Sequence, residues 1–367
     1  MRMWQNGCVV VVVLSAVLGQ SRPSRGIGDG GLATKAVLDG PTGLALGDNG
    51  LYIVESSGGR VRRVDLKTGI ITTIAGGGRQ CGDKDDGSSP KFGCLSSPQR
   101  ITVSGGKVYL TDDEGVIEVG PGPNELRTIV PASDEQALDR TSEQKTVIEW
   151  PEGIVADMSG GLFFDDHSEH KIYHMRLQDN SWQVIGGDGK EGFKGNGGPS
   201  RDAEFRFPSG LALDDDGNLF IADEDNCRIQ RIDSKTGIVT TVVGTAEGGA
   251  TCEEPGGEVS LDSPTDVAVD PSGTIFFVQE FRDRVRRFDP RTGSISTVAG
   301  TGDSGFSGDG GPATKAKLHF PQGLVVGKDG KLYISDTSNN RVRRVDLKTG
   351  LITTVAGNGP EMGDIQL

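Results

Sequence analysis

Three of the chain's four histidines, His167, His170 and His174, fall close together, and imidazoles at short spacing invite a zinc reading. A catalytic zinc needs ligands converging from separate elements around an open position. Spacings of two and then three residues put these three on one hairpin instead, so the cluster reads as structural. Asp83-Lys84-Asp85-Asp86-Gly87 is the densest carboxylate run, and Asp83, Asp85 and Asp86 are the best candidates for calcium oxygens. Gly300-Thr301-Gly302-Asp303-Ser304-Gly305 matches a dinucleotide fingerprint, but no amphipathic helix follows to present its N-terminus to a pyrophosphate. The glycine-rich stretches around Asp29, Asn196 and Asp309 read as turn chemistry, since no Glu follows at calcium-loop spacing. No Ser/His/Asp order and no paired Cys/His can be assembled from so few histidines.

The elements that must position these residues emerge from an internal repeat. Pro41, Pro98, Pro151, Pro208, Pro264 and Pro321 open similar phrases, about 53 to 57 residues apart. Pro208-Ser-Gly-Leu-Ala-Leu-Asp-Asp-Asp-Gly-Asn-Leu-Phe-Ile is strand, Asp/Asn-Gly turn, strand. In the last copy Arg341-Val-Arg-Arg-Val-Asp346 and Leu351-Ile-Thr-Thr-Val355 add a third and a fourth strand. One four-stranded sheet cannot bury both faces alone, so the copies must stack. The pattern predicts an all-β, six-bladed β-propeller with four antiparallel strands per blade. It forms one domain over residues 26–360, with repeats at about 26–78, 79–133, 134–189, 190–246, 247–302 and 303–360.

The phrases Pro-X-Gly-Leu-Ala, Leu-Tyr-Ile-X-Asp and Asn-X-Arg resemble the NHL-repeat family of β-propellers, most closely in repeats one, four and six. Repeats two and three depart from them at Thr111-Asp-Asp-Glu and Asp165-Asp-His-Ser-Glu-His. The resemblance implies a six-bladed ring but no single function. Some relatives bind protein or RNA on one face, and others are lyases or lactonases.

Alignment of the repeats exposes an irregularity at the axis. Gly43, Gly153, Gly210 and Gly323 stand two residues after the opening proline, whereas repeats two and five carry Arg100 and Asp266. Copies three apart face each other in a six-membered ring, so a cation and an anion are expected to project toward one another. Together with Glu152, and with Gln99 and Gln322 nearby, Arg100 and Asp266 are the channel-mouth candidates, read either as a polar ligand pocket or as a salt-bridged plug. The arginine triplets at Arg60, Arg62 and Arg63, at Arg284, Arg286 and Arg287, and at Arg341, Arg343 and Arg344 are expected to pair with acids between strands or blades.

The N-terminus adds a compartment. Arg2 precedes the uncharged run Cys8–Gly19, which is too short for a membrane span but fits a secretory signal at residues 1–19. The competing reading makes Leu14–Leu18 a propeller strand. With Cys8 removed, Cys81, Cys94, Cys227 and Cys252 remain, and the expected pairs are Cys81 with Cys94 and Cys227 with Cys252. The 57 glycines lack the collagen period, and 52 acidic against 38 basic residues give a charge of −14 that argues against nucleic acid. The sequence therefore predicts a secreted binding or scaffolding module for a protein or small-molecule ligand, with no membrane span in the mature chain. No cofactor is required, calcium being the best candidate. The alternative is a hydrolase or lyase, with or without a metal, at the channel mouth.

Overall fold

A computed structural model describes residues 27–77, 95–120, 125–132, 148–244 and 261–359. Residues 1–19, Cys81, Cys94, Cys252, Asp83, Asp85 and Asp86 lie outside them. Six four-stranded antiparallel sheets follow one another at 41–75, 101–131, 154–186, 208–243, 264–299 and 321–356, each pairing its strands in chain order. These are blades 1 to 6 of a propeller. Blade 6 takes its fourth strand from Leu351–Ala356, so four strands come from each repeat's own segment.

The strands follow from what each position must cover. Second strands such as Leu51-Tyr52-Ile53-Val54 and Ile275-Phe276-Phe277-Val278 are apolar without alternation, because each is packed by a neighbouring blade on either face. The core is accordingly divided into six apolar clusters, one between each pair of successive blades, and that of blades 6 and 1 joins Tyr333 and Val342 to Leu44, Leu51 and Ile53. Asp48 and Asn49 have φ of 45° and 57°, the left-handed pair that a two-residue hairpin demands. At the outer hairpin Asp65 accepts hydrogen bonds from Thr68 N at 2.7 Å and Lys67 N at 3.1 Å, and Asp233 and Asp346 repeat the turn.

The outer aspartates fasten turns, and the expected ion pairs of the arginine triplets are made by other acids at Arg62 and Arg343, whereas Arg284 bonds the Thr301 carbonyl at 2.7 Å and Arg287 bonds Ser296 Oγ at 3.0 Å. Arg62, wholly buried, pairs with Glu55 at 2.8 Å and with Asp29 at 2.7 Å. Arg343 likewise pairs with Asp336 at 3.2 Å and with Asp309 at 2.8 Å. Asp29 and Asp309 belong to the glycine-rich linkers, so those loops carry an ion-pair partner as well as turn chemistry. In blade 4 Arg228 meets Asp223 at 2.6 Å and lies over the Phe193 ring at 3.8 Å. Asp336 is bonded by Asn339 and Arg343, as Asp223 is by Asn226 and Arg228.

Two further contacts join each blade to its neighbour. The residue closing the second hairpin is left-handed at His170, Cys227, Asp283 and Asn340. In three of these its side chain accepts an N–H from the next blade: His170 from Phe207, Asp283 from Phe320 and Asn340 from Gly40, the last of which closes the ring. At the axis a methyl group on Gly43 would lie 2.6 Å from the Gln99 carbonyl, one on Gly210 would meet the backbone of Asp266, and one on Gly323 the Thr42 carbonyl. None of these glycines has a positive φ, so their requirement is steric.

Because backbone cannot retreat there, Gly210→Val and Gly323→Val are each expected to lower stability by about 3 kcal/mol. Denaturant titration checks this, and a midpoint unchanged in both variants would contradict the axial placement.

Candidate functional site at the propeller axis

Arg100 stands directly before the first strand of blade 2 (Ile101–Ser104), where its N–H donates to Thr111 Oγ1 at 3.1 Å and its carbonyl accepts from Thr111 N at 3.0 Å. Its side chain crosses the axis. Nη2 donates to the carbonyls of Thr265 in blade 5 and Gln322 in blade 6, both at 3.2 Å, and lies 3.5 Å from Glu152 of blade 3. Arg100 is 6% exposed, and its Nε has no hydrogen-bond partner among the described residues.

Asp266 does not complete the expected ion pair. Its Oδ1 accepts from Val267 N and its Oδ2 from Leu324 N, both at 2.9 Å, so its carboxylate bonds to backbone where Gly210 and Gly323 allow blades to touch. Burial pushes its pKa up to about 6, against the pull of Arg100. Burial also opposes the Arg100 charge, but Asp266, Glu152, Glu280 and Asp165 outweigh it and raise the guanidinium's pKa. Arg100 therefore lies across the axis as a charged crosspiece.

Above it, on the side where first strands begin, lies an acidic mouth. Glu152 contacts His167 Nδ1 at 3.3 Å, and Asp165 holds the backbone N–H groups of Glu152 and Gly153 at 3.2 and 3.0 Å. Glu280 accepts from Gln322 Nε2 at 2.9 Å. Glu224 and Glu280 occupy the same place, one residue beyond the second strands of blades 4 and 5. Burial raises both, Glu224 well above the ordinary range with further push from Glu152 and Glu280. Sequence reasoning missed this pair because repeats one and six carry Ser56 and Thr337 there; comparison of repeats four and five with those two was the available signal.

Aromatic rings border the mouth. Trp150 is 51% exposed and 5.8 Å from the His167 ring, which lies 4.9 Å from Phe207. Phe281, 63% exposed and next to Glu280, meets Phe320 edge-on at 6.1 Å. Phe207 and Phe320 have φ of 52° and 47°, a region bulky side chains avoid.

The three clustered histidines separate. His167 faces the mouth, His170 accepts from Phe207 N, and His174 bonds Asp157 at 2.8 Å while stacked on Phe163. No group of three or more His, Cys, Asp or Glu side chains suited to a metal occurs among the described residues. Cys227 is buried at its left-handed turn, and its expected partner Cys252 is outside the described residues. No described helix is long and apolar enough to cross a membrane.

Comparison with known proteins bears on this architecture. A family model described as the teneurin NHL domain matches residues 298–363, and one described as the NHL repeat matches residues 205–232. NHL repeat-containing protein 2 of Gallus gallus is 25% identical over 94% of this chain, which spans 44% of that relative's length. Among solved structures, a structural genomics protein of unknown function from Bacteroides thetaiotaomicron superposes with a TM-score of 0.60 at 18% identity, over 86% of this chain and 72% of that one. A streptogramin B lyase does so with 0.51 at 14% identity, over 87% and 84%. At such identities the likeness shows the fold.

The buried acids fix a pH dependence. Asp112, Asp266 and Asp336 are each raised by burial to about 6, so the stability they contribute when protonated is fully present below their ordinary value of 3.8 and is lost as pH rises through about 6. His170, lowered by burial, opposes them as pH falls below 6.5, as a single group against several. The melting temperature is expected to fall between about pH 4.5 and pH 7.5. Asp266→Asn should flatten that fall, and Arg100→Met, which removes the restraining cation, should steepen it. Thermal melts across the range check both, and parallel curves for all three proteins would disprove the linkage.

Proposed function

The chain belongs to the NHL-repeat β-propellers, and on that premise we propose that it is a binding module whose ligand face is the acidic, aromatic-bordered mouth of the axis. The ligand presents cations there, as a basic segment of a partner protein would. The observation that carries this reading is the Arg100 crosspiece: the cation that the axial carboxylates surround is a side chain of the chain itself. A hydrolase or lyase at this place would need an open position among convergent ligands. Above the crosspiece Glu152, Glu224 and Glu280 offer carboxyl groups, which a cation entering the mouth would hold ionised against the burial that raises Glu224 and Glu280, and Trp150, Phe281 and Phe320 offer exposed ring faces and edges. Carboxylates beside exposed aromatic rings suit Lys and Arg side chains through ion pairing and cation–π contact. The span of the relatives, of which this chain matches less than half, is consistent with a propeller acting as one part of a larger protein.

Export belongs to the same proposal. It rests on the apolar run Cys8–Gly19 behind Arg2 and on the four remaining cysteines. Intact mass of the secreted protein before and after reduction is expected to show two disulfides, and peptides released without reduction are expected to join Cys81 to Cys94 and Cys227 to Cys252; four alkylatable thiols in the unreduced protein would reject it.

The mouth itself is tested by calorimetric titration with a Lys/Arg-rich peptide against a Glu-rich one. Binding of the basic peptide should weaken with salt, and Glu280→Gln and Phe320→Asn should each weaken it about tenfold. Asn tolerates a left-handed φ better than Phe, so Phe320→Asn is also expected to melt no lower than the parent. Equal affinity for the two peptides would overturn the proposal. One equivalent of divalent metal, lost in Glu152→Gln, would turn the reading to the hydrolase or lyase.

A further inference from the structure

Below the crosspiece the axis has a different character. Counting from each opening proline, the fourth residue of the six repeats is Leu44, Ile101, Ile154, Leu211, Val267 and Leu324, an aliphatic collar no more than 7% exposed at any member. Two residues on, Leu46, Val103, Leu213, Val269 and Val326 are half-buried, so the wall opens outward as it nears the hairpins that join first to second strands. Together they line a cavity of about 390 Å³ that reaches Gly327 and Lys328 at one end and has Arg100 and Asp266 at the other. Among its lining residues Thr102 is a polar exception within the wall, and its hydroxyl already accepts Ala156 N at 3.0 Å.

The hairpins around its opening are acidic. Asp48, Asp157, Asp214, Asp270 and Asp329 come from five of the six blades, and four of them, Asp157, Asp214, Asp270 and Asp329, fasten their own turns by accepting backbone N–H groups, which leaves their charge at the rim. Lys107 is bonded to Glu118, Arg63 donates to the Asp48 carbonyl at 3.1 Å and His174 bonds Asp157, while Lys328 lies at the opening itself. An aliphatic wall under an acidic rim suits one kind of occupant.

We propose that this cavity is a second ligand site, for a small molecule with an unbranched aliphatic body and a cationic end. The body lies along the collars, and the cation stays at the rim beside Asp214 and Asp270. The crosspiece sets the depth to which the body can enter. The site is independent of the mouth, which lies on the other side of Arg100, so either can exist without the other.

The test uses n-alkyltrimethylammonium ions of increasing chain length, with the alcohol and the carboxylate of equal length as comparisons, titrated calorimetrically into the whole protein below their micelle concentrations. Binding is expected to be saturable at one per chain, to tighten by about fourfold per added methylene until the cavity is filled and then to level, and to rank the cation above the alcohol and the alcohol above the carboxylate. Val326→Trp and Leu213→Trp, each placing a ring in the outer funnel, should weaken binding at least tenfold. Absence of saturable binding, affinity independent of chain length, or a carboxylate that binds best would each overturn the proposal. The chain-length series on the unmodified protein decides the matter even if neither tryptophan variant folds.

Discussion

Six strands that begin against one another around a common axis leave no room for a Cβ where their backbones meet, and most of the molecule is arranged around that crowding. Gly43, Gly153, Gly210 and Gly323 satisfy it by having no side chain, each lying against the backbone of the blade that follows. Arg100 and Asp266 satisfy it in another way, by sending their side chains into the only space the ring leaves, the axis itself. Asp266 then takes N–H bonds from Val267 and Leu324, while Arg100 reaches the carbonyls of the two blades across from it. A steric constraint on backbone thus decides where the axial charges lie and divides the channel into an acidic end and an apolar end.

The same chain buries an unusual amount of charge elsewhere. Arg62, Arg228 and Arg343 are fully removed from solvent, and isolated guanidinium groups in such places would be strongly unfavourable. Each is bonded on more than one side: Arg62 by Glu55, Asp29 and the Ile27 carbonyl, Arg343 by Asp336, Asp309 and the Ser307 carbonyl. The acid that ends the second strand also accepts an N–H from the chain entering the blade, Glu55 from Asp39, Asp223 from Arg206 and Asp336 from His319. One carboxylate therefore fixes an arginine, a hairpin and an entering linker at once. Removing a partner would leave a buried charge uncompensated, which makes these networks devices for geometry more than for net stability.

The ring and its blade count were legible because proline, glycine and the Asp/Asn-Gly turns recur at one spacing, and turn chemistry is local. The axial crowding was legible for the same reason, since the glycines occupy one column of the repeat. Arginine partners were half legible: the pairing was expected, but Asp65, Asp289 and Asp346 stand beside the arginines in sequence while the acids that meet Arg62 and Arg343 come from the linkers and the second strand. Glu224 and Glu280 were hidden because one carboxylate at a repeat position means little until two neighbouring blades place both over Arg100. The lower cavity is the extreme case. Leu44, Ile101, Ile154, Leu211, Val267 and Leu324 look like ordinary core residues, and only closure of the ring turns their edges into a common wall.

Backbone strain separates the two ends of the axis further. Phe207 and Phe320 are held in left-handed conformations by His170 and Asp283 of the preceding blades, while Gly40, at the equivalent place, is held by Asn340 without such a cost. The stitch itself therefore does not require an aromatic residue. Glycine serves it at one blade junction, so the bulky rings at the other two are there for what they present, and both lie at the acidic mouth. The lower collar residues have no positive φ, although four of their strands shift register between the opening proline and Leu44, Leu211, Val267 and Leu324. Strain concentrated at one end, where exposed rings border shifted carboxylates, accords with the proposal that this end receives the partner. The apolar end owes its character to the aliphatic collar instead of to strain, and Arg100 and Asp266 at its inner limit separate the second site proposed there from the mouth.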